Sequence, residues 1–209
     1  MPGRIIETDR CVAEGAAWLA RCEPRFAALL GETGPLPLRR RQDGFAALLD
    51  AILGQQVSTA SAAAMRGRLE AAGLMDEARM ICADEEVLRA CGLSRQKIRY
   101  VQVLAEARID YAALRRAPDE AVISTLTALP GIGRWTAEVY AIISLGRADV
   151  FAPGDLALQE GARLLFDLPE RPSERTLRSM ADAWSPWRAV AARALWAYYR
   201  HVRKREGIR

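Results

Sequence analysis

The chain has 209 residues, 51% of them hydrophobic and 27% charged, with a formal net charge of +4. A chain of this length folds as one large domain or two small lobes, and its composition excludes a disordered protein. No apolar run reaches the roughly 18–20 residues of a membrane span, and the opening MPGRIIETDR lacks the apolar core of a signal peptide, so a cytoplasmic or nucleoid location is expected.

Residues 1–40 carry the weakest periodicity, and GETGPLPLRRRQDG (31–44) reads as a linker before the main helical body. FAALLDAIL follows with apolar residues at 45, 48, 49, 52 and 53, the stripe of a packed helix. VSTASAAAMRGRLEAAG is the next helix, with Ser58 as its N-cap and Gly73 as its stop. DEEVLRACG is short and acidic in its first turn, with Asp84 placed to cap it. Ser94 caps SRQKIRYVQVLAEAR, whose stripe runs through Ile98, Val101, Leu104 and Ala105. APDEAVISTLTAL starts at Pro118, and RWTAEVYAIISLG ends at Gly146. LALQEGARLLF, SERTLRSMADAW and WRAVAARALWAYYRHVRKR complete a set of about ten helices. DVFA is too short for a core strand, so the expected fold class is all-α.

Between two of these helices lies LPGIGRWTAE (129–138). Pro130 cannot continue the helical ladder, and Gly131 and Gly133 permit positive φ and close approach of another molecule. Free N–H groups and the positive end of the helix dipole then form an anion site, with a nucleic-acid phosphate as the natural ligand. The alternative is a tight corner between two helices. Asp155, 22 residues beyond Gly133, follows Pro-Gly and opens a helix. It reads as an N-cap, or as a carboxylate whose charge the first-turn N–H groups favour and which can stabilise a sugar cation.

Four segments occur in order: ILGQQVS (52–58), LPGIGRWTAE, the aspartate of FAPGDLAL (151–158), and WSPWRAVAARALW (184–196). Together they resemble the helix-hairpin-helix DNA glycosylases, in particular the 3-methyladenine DNA glycosylase II branch, over roughly residues 45–200. The resemblance implies a two-lobed all-α fold with its active site in the cleft between lobes. Segment 1–44 would pack with the C-terminal lobe (151–209), and the central lobe (45–150) would carry the hairpin at about 118–146. The extra β-containing domain of larger bacterial members is not expected, because only about 44 residues precede the first motif.

The resemblance also assigns roles. Asp155 is the catalytic aspartate, stabilising the sugar cation and orienting water, and Trp135 and Trp196 line the pocket for a flipped cationic base. Both tryptophans have core packing as their alternative. Val139 stands where the bacterial pattern has tyrosine, which implies a wider pocket. Trp184 and Trp187 are expected to be structural. Gln56 lies in the loop that inserts a wedge into duplex DNA, with a hydrogen bond at a helix break as its alternative role. Backbone N–H groups of Gly131, Gly133 and Thr136 are the phosphate donors, and carbonyls of Thr127, Leu129 and Gly131 match a site for a monovalent cation, Na+ or K+. RHVRKREGIR (200–209) is a basic tail that could touch DNA or simply end a solvated helix.

Trp135 occupies the position of the catalytic lysine in lyase-type relatives. Only Lys97 and Lys204 are lysines, and neither lies near the hairpin in sequence, so a monofunctional hydrolase without lyase activity is expected. Cys11, Cys22, Cys82 and Cys91 are too widely spaced for a zinc ribbon or an iron–sulfur cluster, and His201 is the sole histidine, so no zinc site and no required cofactor are expected. The expected partner is damaged double-stranded DNA, the expected state a monomer, and no membrane is involved. The rival from another class is a non-catalytic helix-hairpin-helix module that only holds DNA. Asp155 and the paired tryptophans speak against it.

Overall fold

The structure, a computed structural model, describes residues 3–205, so the end of the basic tail lies outside the described residues. Helices α1 (Asp9–Cys22) and α2 (Pro24–Thr33) open the chain. They are followed by α3 (Phe45–Leu53), α4 (Thr59–Ala71), α5 (Glu77–Ile81), α6 (Glu85–Ala90) and α7 (Arg95–Glu106). Then come α8 (Tyr111–Arg116), α9 (Asp119–Thr127), α10 (Arg134–Ile143), α11 (Leu156–Leu165), α12 (Glu174–Ala181) and α13 (Arg188–Arg205). The described residues contain no strand, only an isolated antiparallel bridge between Ile5 and Arg147. The fold is all-α.

The chain divides into two compact units, one of residues 41–140 and one that joins the residues up to Arg40 with those from Ala141 onward. The second crossing therefore falls inside α10, ten residues before the 150/151 boundary read from sequence.

In the first unit α3 is the central element, burying Phe45, Leu48, Leu49, Ile52 and Leu53 against α4 and α7. Helix α7 returns Ile98, Val101, Leu104 and Ala105, and each such apolar side chain contributes about 1.5–3 kcal/mol when fully buried. The caps follow the sequence in part. Ser58 accepts from Ser61 N–H and Ser94 from Lys97 N–H, whereas Asp84 precedes α6 without a side-chain cap bond. Helices α5 and α8, of five and six residues, are each started by an aspartate, Asp76 and Asp110, that accepts from the first turn.

In the second unit α13 is the centre, packing on α1, α2 and α11. Its inner face is small, with Ala189, Val190, Ala191, Ala192, Ala194 and Leu195 all buried, so backbones approach closely. A Cβ on Gly161 of α11 would stand 2.7 Å from the Leu195 carbonyl oxygen. The region of weakest periodicity, residues 1–40, holds two helices: α1 buries Val12, Gly15, Ala16 and Leu19, and α2 starts with Pro24 and ends at Thr33, just inside the stretch read as linker. Ahead of α1 the backbone is tied to the turn after α10, by Ile6 N–H to Gly146 O (2.7 Å) and Ala148 N–H to Arg4 O (3.0 Å). Trp184 and Trp187 are buried, and the peptide bond between Ser185 and Pro186 is cis. Trp184 meets Phe26, Phe151 and Phe166 with ring centroids 5.4–5.9 Å apart.

Candidate functional site

Two sets of groups carry chemistry, one in each unit. In the first unit, α9 gives way to the turn Leu129–Gly133, closed by Ile132 N–H to Leu129 O at 3.1 Å. Gly131 has φ +91°, and a Cβ there would lie 2.5 Å from the ring of Tyr100, so backbone sign and space both demand glycine. Helix α10 then starts at Arg134. The N–H groups of Gly131, Gly133 and Thr136 donate none of the hydrogen bonds found among the described residues. A helix start with free donors of this kind can hold an anion. Trp135 is 45% exposed, Val139 half-buried, and Thr136 buried on the inner side.

The turn after α3 lies against this hairpin. Gln55 donates from Nε2 to Gly131 O at 2.7 Å, and Gln56, exposed, has φ +55°. Lys97 is buried and donates from Nζ to Leu53 O at the end of α3, and burial pushes its ammonium pKa down. A cavity of about 600 Å³ is lined by Gln55, Gln56, Lys97, Tyr100, Gly131 and Gly133, so Gln56 and the hairpin glycines face one space. Gln55 and Tyr100 were not singled out from sequence. The doubled glutamine of ILGQQVS is a local signal for Gln55, and Tyr100 has none.

In the second unit, Asp155 is the N-cap of α11. Its Oδ1 accepts from Ala157 N–H (2.9 Å), Leu158 N–H (3.0 Å) and the indole Nε1–H of Trp196 (3.2 Å). The Pro153–Asp155 turn is held from behind by buried Gln159, which donates from Nε2 to Pro153 O at 2.8 Å. Beside the carboxylate Leu156 is 63% exposed. Trp196 is half-buried, and Arg39 stands over its ring at 5.6 Å from the centroid. Asp155 is thus the N-cap read from sequence, and its carboxylate is held in one orientation. Trp196, assigned to the base pocket, also spends its N–H on that carboxylate. Gln159 and Arg39 carry no motif that would have marked them.

The arrangement can bind an anion at the hairpin, and at Asp155 it can hold a negative charge in one orientation. His201 pairs with Glu32 at 3.6 Å and takes no part in either set. The four cysteines are free thiols.

Comparison with known proteins identifies the family. A family model described as HhH-GPD superfamily base excision DNA repair protein matches residues 49–188. The chain is 32% identical to DNA-3-methyladenine glycosylase 1 of Schizosaccharomyces pombe, over 82% of this chain and 79% of that protein. It is 31% identical to DNA-3-methyladenine glycosylase 2 of Escherichia coli, over 84% of this chain and 67% of that one. Among solved structures, a DNA-3-methyladenine glycosidase from Bacillus halodurans aligns with TM-score 0.81 at 32% identity, covering 94% of this chain and 93% of that one. The S. pombe 3-methyladenine DNA glycosylase in complex with abasic DNA aligns with TM-score 0.75 at 29% identity, covering 88% and 95%. This chain belongs to the HhH-GPD superfamily of base excision DNA repair proteins.

Proposed function

We propose that the chain is a monofunctional DNA glycosylase that hydrolyses the N-glycosidic bond of alkylated bases, 3-methyladenine and 7-methylguanine among them, in duplex DNA. The observation that carries the reading is the Asp155 carboxylate, whose Oδ1 is fixed by two backbone N–H groups and one indole N–H. A carboxylate oriented in this way stabilises positive charge as it develops. In the reaction the bond from C1′ to the base nitrogen breaks and its electron pair leaves with the base. An alkylated purine is already cationic, so this neutralises it and no strong general acid is needed. Positive charge moves to the deoxyribose, where Asp155 faces it and orients the attacking water. The proton lost by that water passes to Asp155 or to solvent.

The base must leave the stack to be cut. Gln56, exposed on a turn in the left-handed conformation, is the group we assign to the gap left behind. Trp135, exposed, and Val139 beside it are assigned to the flipped base, the indole face attracting its charge. The hairpin N–H groups of Gly131, Gly133 and Thr136 take a DNA phosphate. Carbonyls of Thr127, Leu129 and Gly131 are neutral donors, the set that suits a monovalent cation. The Gly131 carbonyl accepts from Gln55 through one lone pair and keeps its second. Such an ion would supply positive charge next to the bound phosphate and no bond chemistry.

Lyase chemistry needs a lysine amine at the sugar. Lys97 is buried on the Leu53 carbonyl, and the hairpin position is filled by Trp135. The experiment is incubation with methylated duplex DNA under borohydride, with released bases and strand integrity both followed. Free 3-methyladenine or 7-methylguanine, with unbroken strands and no trapped adduct, is the expected result. A borohydride-trapped adduct would overturn the monofunctional assignment, and absence of any released base across alkylated, ethenoadenine and hypoxanthine duplexes would overturn the enzyme.

A further inference from the structure

The segment just before α3 lies outside the matched family region, yet it reaches the candidate carboxylate through two contacts of α13. Arg193 and Trp196 stand three residues apart on that helix. Arg193 is 0% exposed, and its guanidinium donates to three carbonyls: Nε to Leu38 (3.0 Å), Nη1 to Ala189 (2.8 Å) and Nη2 to Ile142 (3.3 Å). Burial, with the charges of Arg39 and Arg40 nearby, pushes its pKa down to about 10, which leaves a cation at neutral pH. Desolvating that charge is costly, and among the things it secures is the backbone at Leu38. The next residue, Arg39, has φ +51°, a conformation that costs a non-glycine residue free energy and persists only where its surroundings enforce it. From that backbone the Arg39 guanidinium stands over the Trp196 indole, within the range of a cation–π contact. The indole N–H is the third donor on Asp155 Oδ1.

We propose that Arg39 is a positioning residue for base excision, holding the Trp196 ring so that its N–H stays on the Asp155 carboxylate. The inference rests on the glycosylase reading above. A half-buried indole can rotate about its side-chain torsions, and a small rotation moves the N–H off a carboxylate oxygen at 3.2 Å. A cation fixed on one ring face opposes that rotation. It also draws electron density through the indole and strengthens the N–H as a donor. This task gives a use to the strained backbone at Arg39 and to the bond from Arg193 to Leu38.

The test is single-turnover release of 7-methylguanine from duplex DNA, with duplex affinity and melting temperature measured alongside. The variants are Arg39→Gln, Arg39→Lys, Trp196→Phe and the double Arg39→Gln/Trp196→Phe. Arg39→Gln is expected to slow release about 2- to 10-fold, the rate equivalent of one cation–π contact, with duplex affinity unchanged. Arg39→Lys, which keeps a cation, is expected to retain most of the rate. Arg39→Gln should cost nothing further in the Trp196→Phe background, because the N–H it positions is already gone. Wild-type rate in Arg39→Gln, equal losses in Arg39→Gln and Arg39→Lys, or additive losses in the double variant would each overturn the inference alone. A wild-type protein that releases no base would overturn the glycosylase reading and this inference with it. Should Arg39→Gln not fold, Arg39→Met keeps the aliphatic stem and replaces it with the same expectations.

Discussion

Gly131 and Gly133 stand two residues apart, and the structure separates what each does. At Gly131 an alanine meets both a positive φ and the Tyr100 ring. The backbone penalty alone is about 1–2 kcal/mol, and the ring must also move. Gly131→Ala is therefore expected to lower the melting temperature and duplex affinity together. At Gly133 a Cβ would meet nothing within 4 Å, and φ is not positive. Gly133→Ala is expected to keep the melting temperature and lose duplex affinity, because the methyl group occupies the space in which a phosphate approaches. Unchanged affinity in a stable Gly133→Ala protein would remove the phosphate from the hairpin. Gln56 is tested by comparing duplexes. A residue that fills the gap left by a flipped base matters for lesion-containing DNA, so Gln56→Ala should weaken binding there far more than to undamaged duplex, and equal losses would contradict the wedge.

Among the elements, α11 and α13 are packed closely enough to reverse an ordinary rule. Replacing a glycine inside a helix by alanine normally stabilises by about 0.5–1 kcal/mol. In Gly161→Ala the new methyl would press on the Leu195 carbonyl, so thermal melting should fall instead, and base release with it, since Trp196 is the next residue. In the first unit Tyr140 ties the end of α10 to the start of α3, its Oη accepting from Gly44 N–H at 2.9 Å. Burial pushes the phenol up to about 12 from the ordinary 10.0. The folded state then holds a proton that the unfolded chain gives up, so this stability is complete below pH 10 and is lost between pH 10 and about 12. Tyr140→Phe orphans the Gly44 N–H, at a cost of about 1–3 kcal/mol at neutral pH. Denaturant titrations across pH 9–12 should show a shallower alkaline decline for the variant than for the wild type.

The same elements explain what could be read in the sequence. Helices α3, α7 and α9 announce themselves through large apolar residues at helical spacing. Helix α1 places Gly15 and Ala16 among its inward residues, which mutes the stripe, so neither it nor the helix after it was legible in the sequence. Helices α5 and α8 are too short to express a period at all. Asp155 was legible because a Pro-Gly turn, a cap and a resemblance converge on it. Arg39 was not, because its role depends on one left-handed backbone angle in a stretch that reads as linker. The bond from Trp196 to Asp155 spans 41 residues and has no local signal.

At the scale of the whole molecule, the two tasks proposed for the chain fall to groups in different units. The hairpin donors and the Gln55–Gln56 turn belong to residues 41–140, and the carboxylate with its indole and Arg39 belongs to the unit built from both ends of the chain. Binding and bond breaking should therefore be separable by substitution. The most direct measurement is made on Asp155→Asn, following affinity for a lesion-containing duplex and single-turnover release of 7-methylguanine in the same preparation. An amide keeps the cap's shape and can still accept through its oxygen, but carries no charge to set against the sugar cation. A catalytic role for Asp155 predicts duplex affinity near that of the wild type and a loss of release of about 100-fold or more, the scale of removing a charge-stabilising group from an active site. Release at the wild-type rate by a folded, DNA-binding Asp155→Asn protein would contradict it.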